Sequence, residues 1–246
     1  MATVQRLTQL VKLLDVTRLQ EHDDVEQMTL WFDSVQQAKL SPAALCIYPD
    51  YLPLLKARKD WLDAQAIAKA TVVNFPTGQL GSDAVCQHIV EALQQGADEV
   101  DCVLPYQDLM AGKIGSVKSF LMDVRQACGT AVLKIIVESG ELITAQQVAR
   151  ATELSIDSGA EFVKSSTGKV PVGLTDEAAQ IMLTVIAGAD REVGFKASGG
   201  VRTIEHGLSL IEMYQKITGR EADARSMRIG ASGLFQELVR LQSGSS

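Results

Sequence analysis

Short apolar runs recur along the chain, and longer stretches with apolar residues at helical spacing separate them. The runs lie at residues 13–16, 43–48, 70–75, 99–104, 132–138, 160–164, 193–196 and 227–230. They are continuous rather than alternating, which is typical of parallel strands buried on both faces. Eight such strands, each followed by a helix or a helical turn, predict an α/β fold of the (β/α)8 TIM barrel type.

Helix signals fill the intervals between these runs. Residues 4–14 carry apolar side chains at helical spacing and predict an extra N-terminal helix before the barrel. Thr144 with Gln147 three residues later is a capping box, and Gly159 marks the end of the same helix. The predicted helices cover residues 23–38, 51–59, 82–95, 116–128, 144–159, 175–188, 203–215 and 234–241.

The length of 246 residues suits one sizeable domain. We predict a single domain over residues 1–242 and a disordered tail of serine and glycine at residues 243–246. A doubly wound open sheet is the alternative architecture. No G-x-G-x-x-G sequence follows the first predicted strand, which argues against that alternative.

Composition narrows the class of protein. The chain is 46% hydrophobic and 22% charged, as in ordinary soluble domains, and its formal net charge of −7 argues against nucleic acid or an anionic membrane as the main partner. Its four cysteines form no C-x-x-C pair and favour reduced thiols in a cytoplasmic protein. Arg6 and Lys12 interrupt the first amphipathic stretch, so we expect no signal peptide, and no apolar run approaches the length of a membrane span.

Two lysines stand at equivalent places in the pattern. Lys164 and Lys196 each end an apolar run and precede a turn of small residues. An unpaired buried ammonium is costly, so one alternative is a strand-end lysine whose head reaches water. The repetition favours a functional pair. Burial and a like charge nearby both favour a neutral amine, the form that attacks an aldehyde or ketone.

The C-terminal ends of barrel strands face one shared cavity, where active sites lie. The ionisable residues predicted at or near this end are Asp15, Asp101, Lys134, Glu138, Lys164 and Lys196. Asp101 can stabilise an ammonium and pass a proton through a water. A buried ion pair between Asp101 and Lys134 is an equal alternative, and both roles are compatible.

Two glycine-rich turns resemble a phosphate site. Residues 198–203 (S-G-G-V-R-T) and 230–233 (G-A-S-G) follow the seventh and eighth predicted strands, where this fold commonly binds phosphate beside a helix N-terminus. Ordinary turn chemistry is the alternative. His22, His88 and His206 lack the spacing of metal ligands, so no metal is expected.

Several motifs extend this pattern over most of the chain. They are K-L-L-D-V-T-R-L (12–19), C-I-Y-P (46–49), V-N-F-P-T-G (73–78), A-D-E-V-D (97–101), L-K-I-I-V-E (133–138), V-K-S-S-T-G (163–168), G-F-K-x-x-G-G-V-R (194–202) and G-A-S (230–232). Over residues 11–234 the sequence resembles the deoxyribose-phosphate aldolase family of class I aldolases. That family cleaves 2-deoxy-D-ribose 5-phosphate reversibly into acetaldehyde and D-glyceraldehyde 3-phosphate.

The resemblance implies a role for each matching residue. Lys164 forms an imine with the substrate, Lys196 tunes it, and Asp101 with Lys196 and a water moves protons, so neither a metal nor a cofactor is needed. The nearby residues that would support them are Asp15, Thr17, Cys46 and Lys134. The residues matching the phosphate site are Gly168, Lys169, Gly199, Gly200, Arg202, Gly230 and Ser232. The implied partners are a phosphorylated sugar and small aldehydes, and family members are commonly homodimers or monomers.

The sequence departs from the family pattern at three places. Gly233 and Ala197 stand where many members have serine and proline, and the chain ends without the tyrosine that assists proton transfer in some members. We therefore expect that assistance to be absent or supplied by another group. Two other functions remain open: a class I aldolase with a different donor, and a barrel that binds sugar phosphates without catalysis.

Overall fold

The computed structural model describes residues 2–244 and contains a closed barrel of eight parallel strands. The strands are β1 (Leu14–Arg18), β2 (Ala44–Ile47), β3 (Ala68–Val73), β4 (Glu99–Val103), β5 (Val132–Ile136), β6 (Phe162–Lys164), β7 (Gly194–Ser198) and β8 (Met227–Ala231). Each strand pairs with the next in sequence, and β8 closes the barrel on β1. The TIM-barrel prediction is confirmed, and the open-sheet alternative is wrong.

Eleven α-helices are present between residues 2 and 244. They are α1 (Ala2–Lys12), α2 (Val25–Gln37), α3 (Leu52–Lys56), α4 (Lys59–Gln65), α5 (Ser82–Gln94), α6 (Tyr106–Met110), α7 (Ile114–Cys128), α8 (Ala145–Asp157), α9 (Asp176–Ala187), α10 (Ile204–Thr218) and α11 (Gly233–Gly244). The helix α1 is the predicted extra element. None of these helices is both long and apolar enough to cross a lipid bilayer.

The helix ends differ from the predictions at three places. The predicted helix over residues 51–59 is shorter, and a further helix, α4, starts at Lys59. The five-residue helix α6 was not predicted. The last helix extends to Gly244, into the segment predicted as a tail, and residues 245–246 lie outside the described residues.

Side-chain caps explain where several helices begin. The Asp24 side chain accepts a hydrogen bond from the backbone N–H of Gln27, and the Gln27 side-chain oxygen accepts one from the backbone N–H of Asp24, which completes a capping box at α2. The same reciprocal pair joins Thr144 and Gln147 at α8, as predicted. These bonds satisfy N–H groups that have no partner within the helix.

The strands separate two cores. Outward-facing residues such as Val100 and Cys102 pack with the helices in the large core around the barrel. A smaller apolar cluster lies inside the barrel and contains Leu19, Ala44, Cys46, Ala70 and Val72. Because successive side chains point to opposite faces of a strand, Glu99 and Asp101 on β4 point inward.

Candidate active site

Seven charged side chains converge inside the barrel, and each of these residues is at most 7% exposed. We call them the interior charge cluster: Asp15 on β1, Glu99 and Asp101 on β4, Lys134 on β5, Lys164 on β6, Lys196 on β7 and Arg228 on β8. Strand register brings them together, because Lys164 lies opposite Lys196 and Asp101 lies opposite Lys134.

Asp101 is at the centre of the cluster. Its Oδ2 atom accepts hydrogen bonds from Lys164 Nζ at 2.9 Å and from Lys196 Nζ at 2.6 Å. Its Oδ1 atom accepts one from Lys134 Nζ at 2.9 Å. Burial alone would raise the pKa of Asp101, but the neighbouring lysines, Lys134 first, outweigh it and hold the pKa well below its ordinary value. Asp101 is therefore a carboxylate at neutral pH.

Lys196 and Lys134 are held as ammonium ions. Lys196 contacts Asp15 at 2.5 Å as well as Asp101. Lys134 contacts Glu99 at 2.5 Å, Asp101 at 2.9 Å and Asp15 at 3.7 Å. Burial opposes the charged form of both lysines, yet the carboxylates prevail and raise both pKa values. Neither lysine is free to act as an uncharged nucleophile.

Lys164 differs from the other two lysines in its contacts and in its exposure. It is the last residue of β6, and within residues 2–244 its one ion pair is with Asp101. It retains 3% exposure, whereas Lys134 and Lys196 retain none. Asp101 does not depend on Lys164 for a partner, since it also pairs with Lys134 and Lys196. The geometry thus distinguishes two lysines that look equivalent in sequence.

The predicted supporting residues have unequal positions. Asp15 and Lys134 belong to the interior charge cluster. Cys46 lies beside it, with Sγ 4.0 Å from Asp101 Oδ2, and burial raises the pKa of its thiol. Thr17 does not join the cluster, because its hydroxyl donates to the main-chain carbonyl of Asp15 at 2.8 Å.

The loop after β6 carries two of the predicted phosphate residues. The Gly168 N–H donates to Ser166 Oγ at 3.1 Å, and the Lys169 N–H donates to Thr167 Oγ1 at 3.0 Å. Gly168 approaches Gly199, since a Cβ atom at position 168 would lie 3.7 Å from the Gly199 Cα. The Lys169 ammonium donates to the main-chain carbonyl of Leu19 at 2.7 Å, on the far side of the barrel mouth.

The remaining predicted phosphate residues lie after β7 and in or after β8. Gly199 and Gly200 both have positive φ, at 86° and 99°, which only glycine adopts readily. Arg202 and Ser232 are exposed. Gly230 lies within β8, beside the side chain of Lys196. A Cβ atom at position 230 would be 3.2 Å from Lys196 Cε, so this glycine makes room for the lysine stem.

The loops after β5, β6 and β7 touch one another through their backbones. A Cβ atom at Gly140 would lie 1.7 Å from the carbonyl oxygen of Val172, and one at Gly173 would lie 2.3 Å from the carbonyl oxygen of Gly199. The Leu174 N–H donates to that same Gly199 carbonyl at 2.9 Å. Glycine is required at these positions because a larger residue would separate the loops.

Glu138 organises the loop after β6, a role that its position in sequence did not reveal. Its carboxylate is buried and accepts hydrogen bonds from Ser166 Oγ at 2.5 Å, from Thr167 Oγ1 at 2.5 Å and from the Thr167 N–H at 3.1 Å. Its φ of 53° is unusual for a residue with a side chain. The loop bonds outweigh this strain and fix the segment that precedes Gly168.

Sequence reasoning also missed Glu99 and Arg228. Arg228 donates to Asp15 Oδ1 at 2.7 Å and to Glu99 Oε1 at 2.9 Å. The two-residue spacing of Glu99 and Asp101 is a signal that both face the same side of a strand. Within residues 2–244, no group of three or more His, Cys, Asp and Glu side chains is arranged to hold a metal ion.

Comparison with known proteins agrees with this fold. Residues 10–234 match the family model of the DeoC/LacD family aldolases. A solved structure from Coccidioides immitis, provisionally described as a deoxyribose-phosphate aldolase, is 27% identical, with a TM-score of 0.83 over 96% of this chain and 87% of that one. A structure described as QR15, an aldolase, is 26% identical, with a TM-score of 0.80 over 96% and 99% of the two chains.

A third structure shares the fold at lower identity. It is the deoxyribose phosphate aldolase of Aeropyrum pernix, described as a tetramer, which is 19% identical with a TM-score of 0.78. The alignment covers 96% of this chain and 92% of that one.

Proposed function

This chain belongs to the DeoC/LacD family of aldolases, and on that premise we propose that it cleaves 2-deoxy-D-ribose 5-phosphate reversibly into acetaldehyde and D-glyceraldehyde 3-phosphate through an imine on Lys164. One observation carries the proposal: Asp101 Oδ2 accepts from two strand lysines, of which Lys164 has the fewest carboxylate contacts and the greater exposure. An uncharged amine beside a permanent ammonium is the arrangement that imine formation requires.

The proposed reaction begins when the Lys164 amine attacks the aldehyde carbon C1 of the open-chain sugar, and loss of water gives a protonated imine. The C2–C3 bond then breaks, and its electron pair passes through C2 to the imine nitrogen to give an enamine. The C3 hydroxyl releases its proton and becomes the aldehyde of D-glyceraldehyde 3-phosphate. Protonation of the enamine at C2 and hydrolysis of the imine release acetaldehyde and restore Lys164.

Asp101 and Lys196 serve the proton transfers in this scheme. Asp101 remains a carboxylate, because its pKa is held far below neutral, and it can accept a proton transiently through a water. Lys196 remains an ammonium between Asp101 and Asp15 and supplies fixed positive charge beside the amine.

The phosphate of the substrate is assigned to the rim of the barrel. Adjacent backbone N–H groups of a glycine turn and a helix N-terminus favour an anion, and α11 begins at Gly233 directly after Ser232. The proposed phosphate ligands are Gly168, Lys169, Gly199, Gly200, Arg202, Gly230 and Ser232, and Gly230 also leaves room for the stem of Lys196. Gly233 can offer only its backbone N–H.

Borohydride reduction in the presence of 2-deoxy-D-ribose 5-phosphate, followed by peptide mass spectrometry, tests the proposal. A reduced adduct is expected on Lys164 and is expected to disappear in Lys164→Met. An adduct on Lys196 would exchange the roles of the two lysines. The absence of any adduct on protein with a native circular dichroism spectrum would refute the imine mechanism and favour a barrel that only binds sugar phosphates.

A panel of aldehyde donors and acceptors separates this substrate from those of other class I aldolases. We expect acetaldehyde with D-glyceraldehyde 3-phosphate to give the highest kcat/KM, and the unphosphorylated acceptor to raise KM. A higher kcat/KM with another donor would contradict the substrate assignment but leave the imine intact.

We further propose that the enzyme acts in deoxyribonucleotide catabolism in the cytoplasm. Its four free cysteines, three of them buried, support that compartment.

A further inference from the structure

Arg228 is a buried cation that none of the proposed steps uses. Its guanidinium donates to Asp15 Oδ1 at 2.7 Å and to Glu99 at 2.9 and 3.3 Å, and it lies 5.4 Å from the centre of the Phe162 ring. The residue is 7% exposed. These contacts hold the Arg228 side chain in one conformation, and it in turn fixes the positions of the Asp15 and Glu99 carboxylates.

Asp15 depends on Arg228 for its orientation. Within residues 2–244, Arg228 supplies the hydrogen bond to the Asp15 side chain. Asp15 Oδ2 lies 2.5 Å from Lys196 Nζ and 3.7 Å from Lys134 Nζ, but it accepts no hydrogen bond of good geometry from either. The Arg228 bond to Oδ1 therefore turns Oδ2 toward Lys196. Asp15 in turn gives Lys196 the second carboxylate contact that Lys164 lacks.

The charges of the cluster balance in one protonation state. The groups that face it are Asp15 from β1, Cys46 from β2, Glu99 and Asp101 from β4, Lys134 from β5, Lys164 from β6, Lys196 from β7 and Arg228 from β8, while β3 contributes Ala70 and Val72. Three carboxylates face four potential cations. A buried cluster disfavours net charge, so the neutral arrangement is the one in which a single cation has lost its proton. Lys164 has one carboxylate contact, fewer than either of the other two lysines.

We propose that Arg228, held by Glu99, is a positioning residue that keeps Lys164 uncharged by supplying the third permanent cation of the cluster and by directing Asp15 onto Lys196. Without Arg228, three lysines would face three carboxylates, and neutrality would require Lys164 to carry a proton. Removal of the Glu99 charge has the opposite effect, because four potential cations would then face only two carboxylates. The inference rests on the proposed imine chemistry of Lys164.

The pH profile of kcat/KM tests the inference. In Arg228→Met we expect the acidic limb to move to higher pH by about one unit or more, with activity recovered in alkali. In Glu99→Gln it is expected to move to lower pH. The double variant E99Q/R228M restores the excess of one potential cation over the carboxylates, so its limb is expected to return to the wild-type position. Arg228→Lys keeps the charge and is expected to keep the limb in place.

A second arginine–glutamate pair provides the matched control. Arg125 donates to Glu161 at 2.8 Å outside the barrel interior. Arg125→Met and Glu161→Gln are expected to lower stability without moving the limb. If R228M lowers activity by one factor at every pH, or if E99Q/R228M lies no nearer to wild type than the single variants, the inference is wrong.

The two proposals can fail separately. Borohydride trapping on the wild-type protein tests the imine alone. If no adduct forms, the imine mechanism is refuted, and the role proposed for Arg228 is refuted with it. If the wild-type protein forms the adduct and R228M does not fold, Glu99→Gln and Arg228→Lys still decide the outcome. An unmoved limb in E99Q would overturn the role of the pair.

Discussion

The interior of the barrel has an apolar side and a charged side. On β2 and β3 it is lined by the small side chains of Ala44, Cys46, Ala70 and Val72. On β1 and on β4 to β8 it is lined by the interior charge cluster. The two sides meet where Cys46 Sγ lies 4.0 Å from Asp101 Oδ2. An apolar wall facing the charges keeps water away and strengthens every ion pair in the cluster. The apolar side of the interior thus helps to determine the strength of the ion pairs on the charged side.

The strongest test of the charged side is Asp101→Asn. Loss of this carboxylate deprives three lysines of their shared partner, and breaking a buried ion pair costs about 3–5 kcal/mol of unfolding free energy. We expect kcat to fall at least about 100-fold. Urea unfolding and steady-state kinetics measure the two effects.

Asp98→Asn is the control for that variant, because Asp98 is half exposed and pairs with Lys69 at the other end of the same strand. It should change stability by no more than about 1 kcal/mol. Equal losses of unfolding free energy in both variants would mean that burial does not make the ion pairs of Asp101 more stabilising than the exposed pair of Asp98 and Lys69.

The apolar side is tested by Ala70→Leu. Ala70 is fully buried, and added methyl groups in a packed interior destabilise by about 1–3 kcal/mol. Because no charge changes, the pH dependence of imine trapping should stay that of the wild type while KM rises. Ala64→Leu on the exposed face of α4 is the size-matched control and should be nearly neutral. A shifted pH dependence in Ala70→Leu would show that the two sides are not separable in this way.

Glu138→Gln separates loss of charge from loss of a hydrogen bond. The partners of Glu138 are the hydroxyls and a main-chain N–H of the loop after β6, so an amide can replace most of its bonds. We expect a loss of about 1 kcal/mol, smaller than for Asp101→Asn. KM for the phosphorylated substrate should rise more than kcat falls, since the loop leads to Gly168. Glu141→Gln is the control, and an equal rise in its KM would argue against a specific role for Glu138.

The smallest effect is expected in what the fixed charges of the cluster contribute to the pH dependence of stability between pH 5 and 9. Burial opposes the carboxylate form of Asp15, yet Lys196, Arg228 and Lys134 lower its pKa, and the pKa of Asp101 is lowered too. The stability these groups provide is present above about pH 4 and lost as the pH falls further. The raised pKa values of Lys134 and Lys196 make their contribution complete below about pH 10 and lost only above it.

In Lys164→Met, which removes the lysine proposed to be uncharged, we expect the unfolding free energy to vary by less than about 1 kcal/mol between pH 5 and 9. Urea titrations at intervals of pH measure it. A steep change near neutral pH in this variant would contradict the assignment of fixed charges to Asp15, Asp101, Lys134 and Lys196.

The fold was predictable because its signals are local. Continuous apolar runs predict buried parallel strands, and a threonine followed by glutamine three residues later predicts the start of α8. The helix α6 was missed because five residues after a proline are too few to show helical spacing. The division of the predicted helix 51–59 depends on the turn at Arg58, which has no strong sequence signal.

The site was predictable only in part because its contacts are non-local. Lys164, Lys196 and Asp101 stand out as ionisable residues at strand ends, and the prediction placed them at one end of a barrel. The contact of Arg228 with Asp15 depends on closure of β8 onto β1, which joins the two ends of the chain. No spacing in the sequence encodes that pair. Glu138 was visible as a residue but not as the acceptor for a loop 28 residues away.

The backbone contacts among the loops after β5, β6 and β7 bear on how this molecule moves. No side chain separates Gly140 from Val172 or Gly173 from Gly199, so these loops have no deformable layer between them. Interfaces of this kind shift as one body or come apart altogether. The loops after β5, β6 and β7 therefore form a rigid part of the barrel rim and do not open as a lid. By contrast, the loop after β6 reaches the segment after β1 through one flexible side chain, since the Lys169 ammonium donates to the main-chain carbonyl of Leu19.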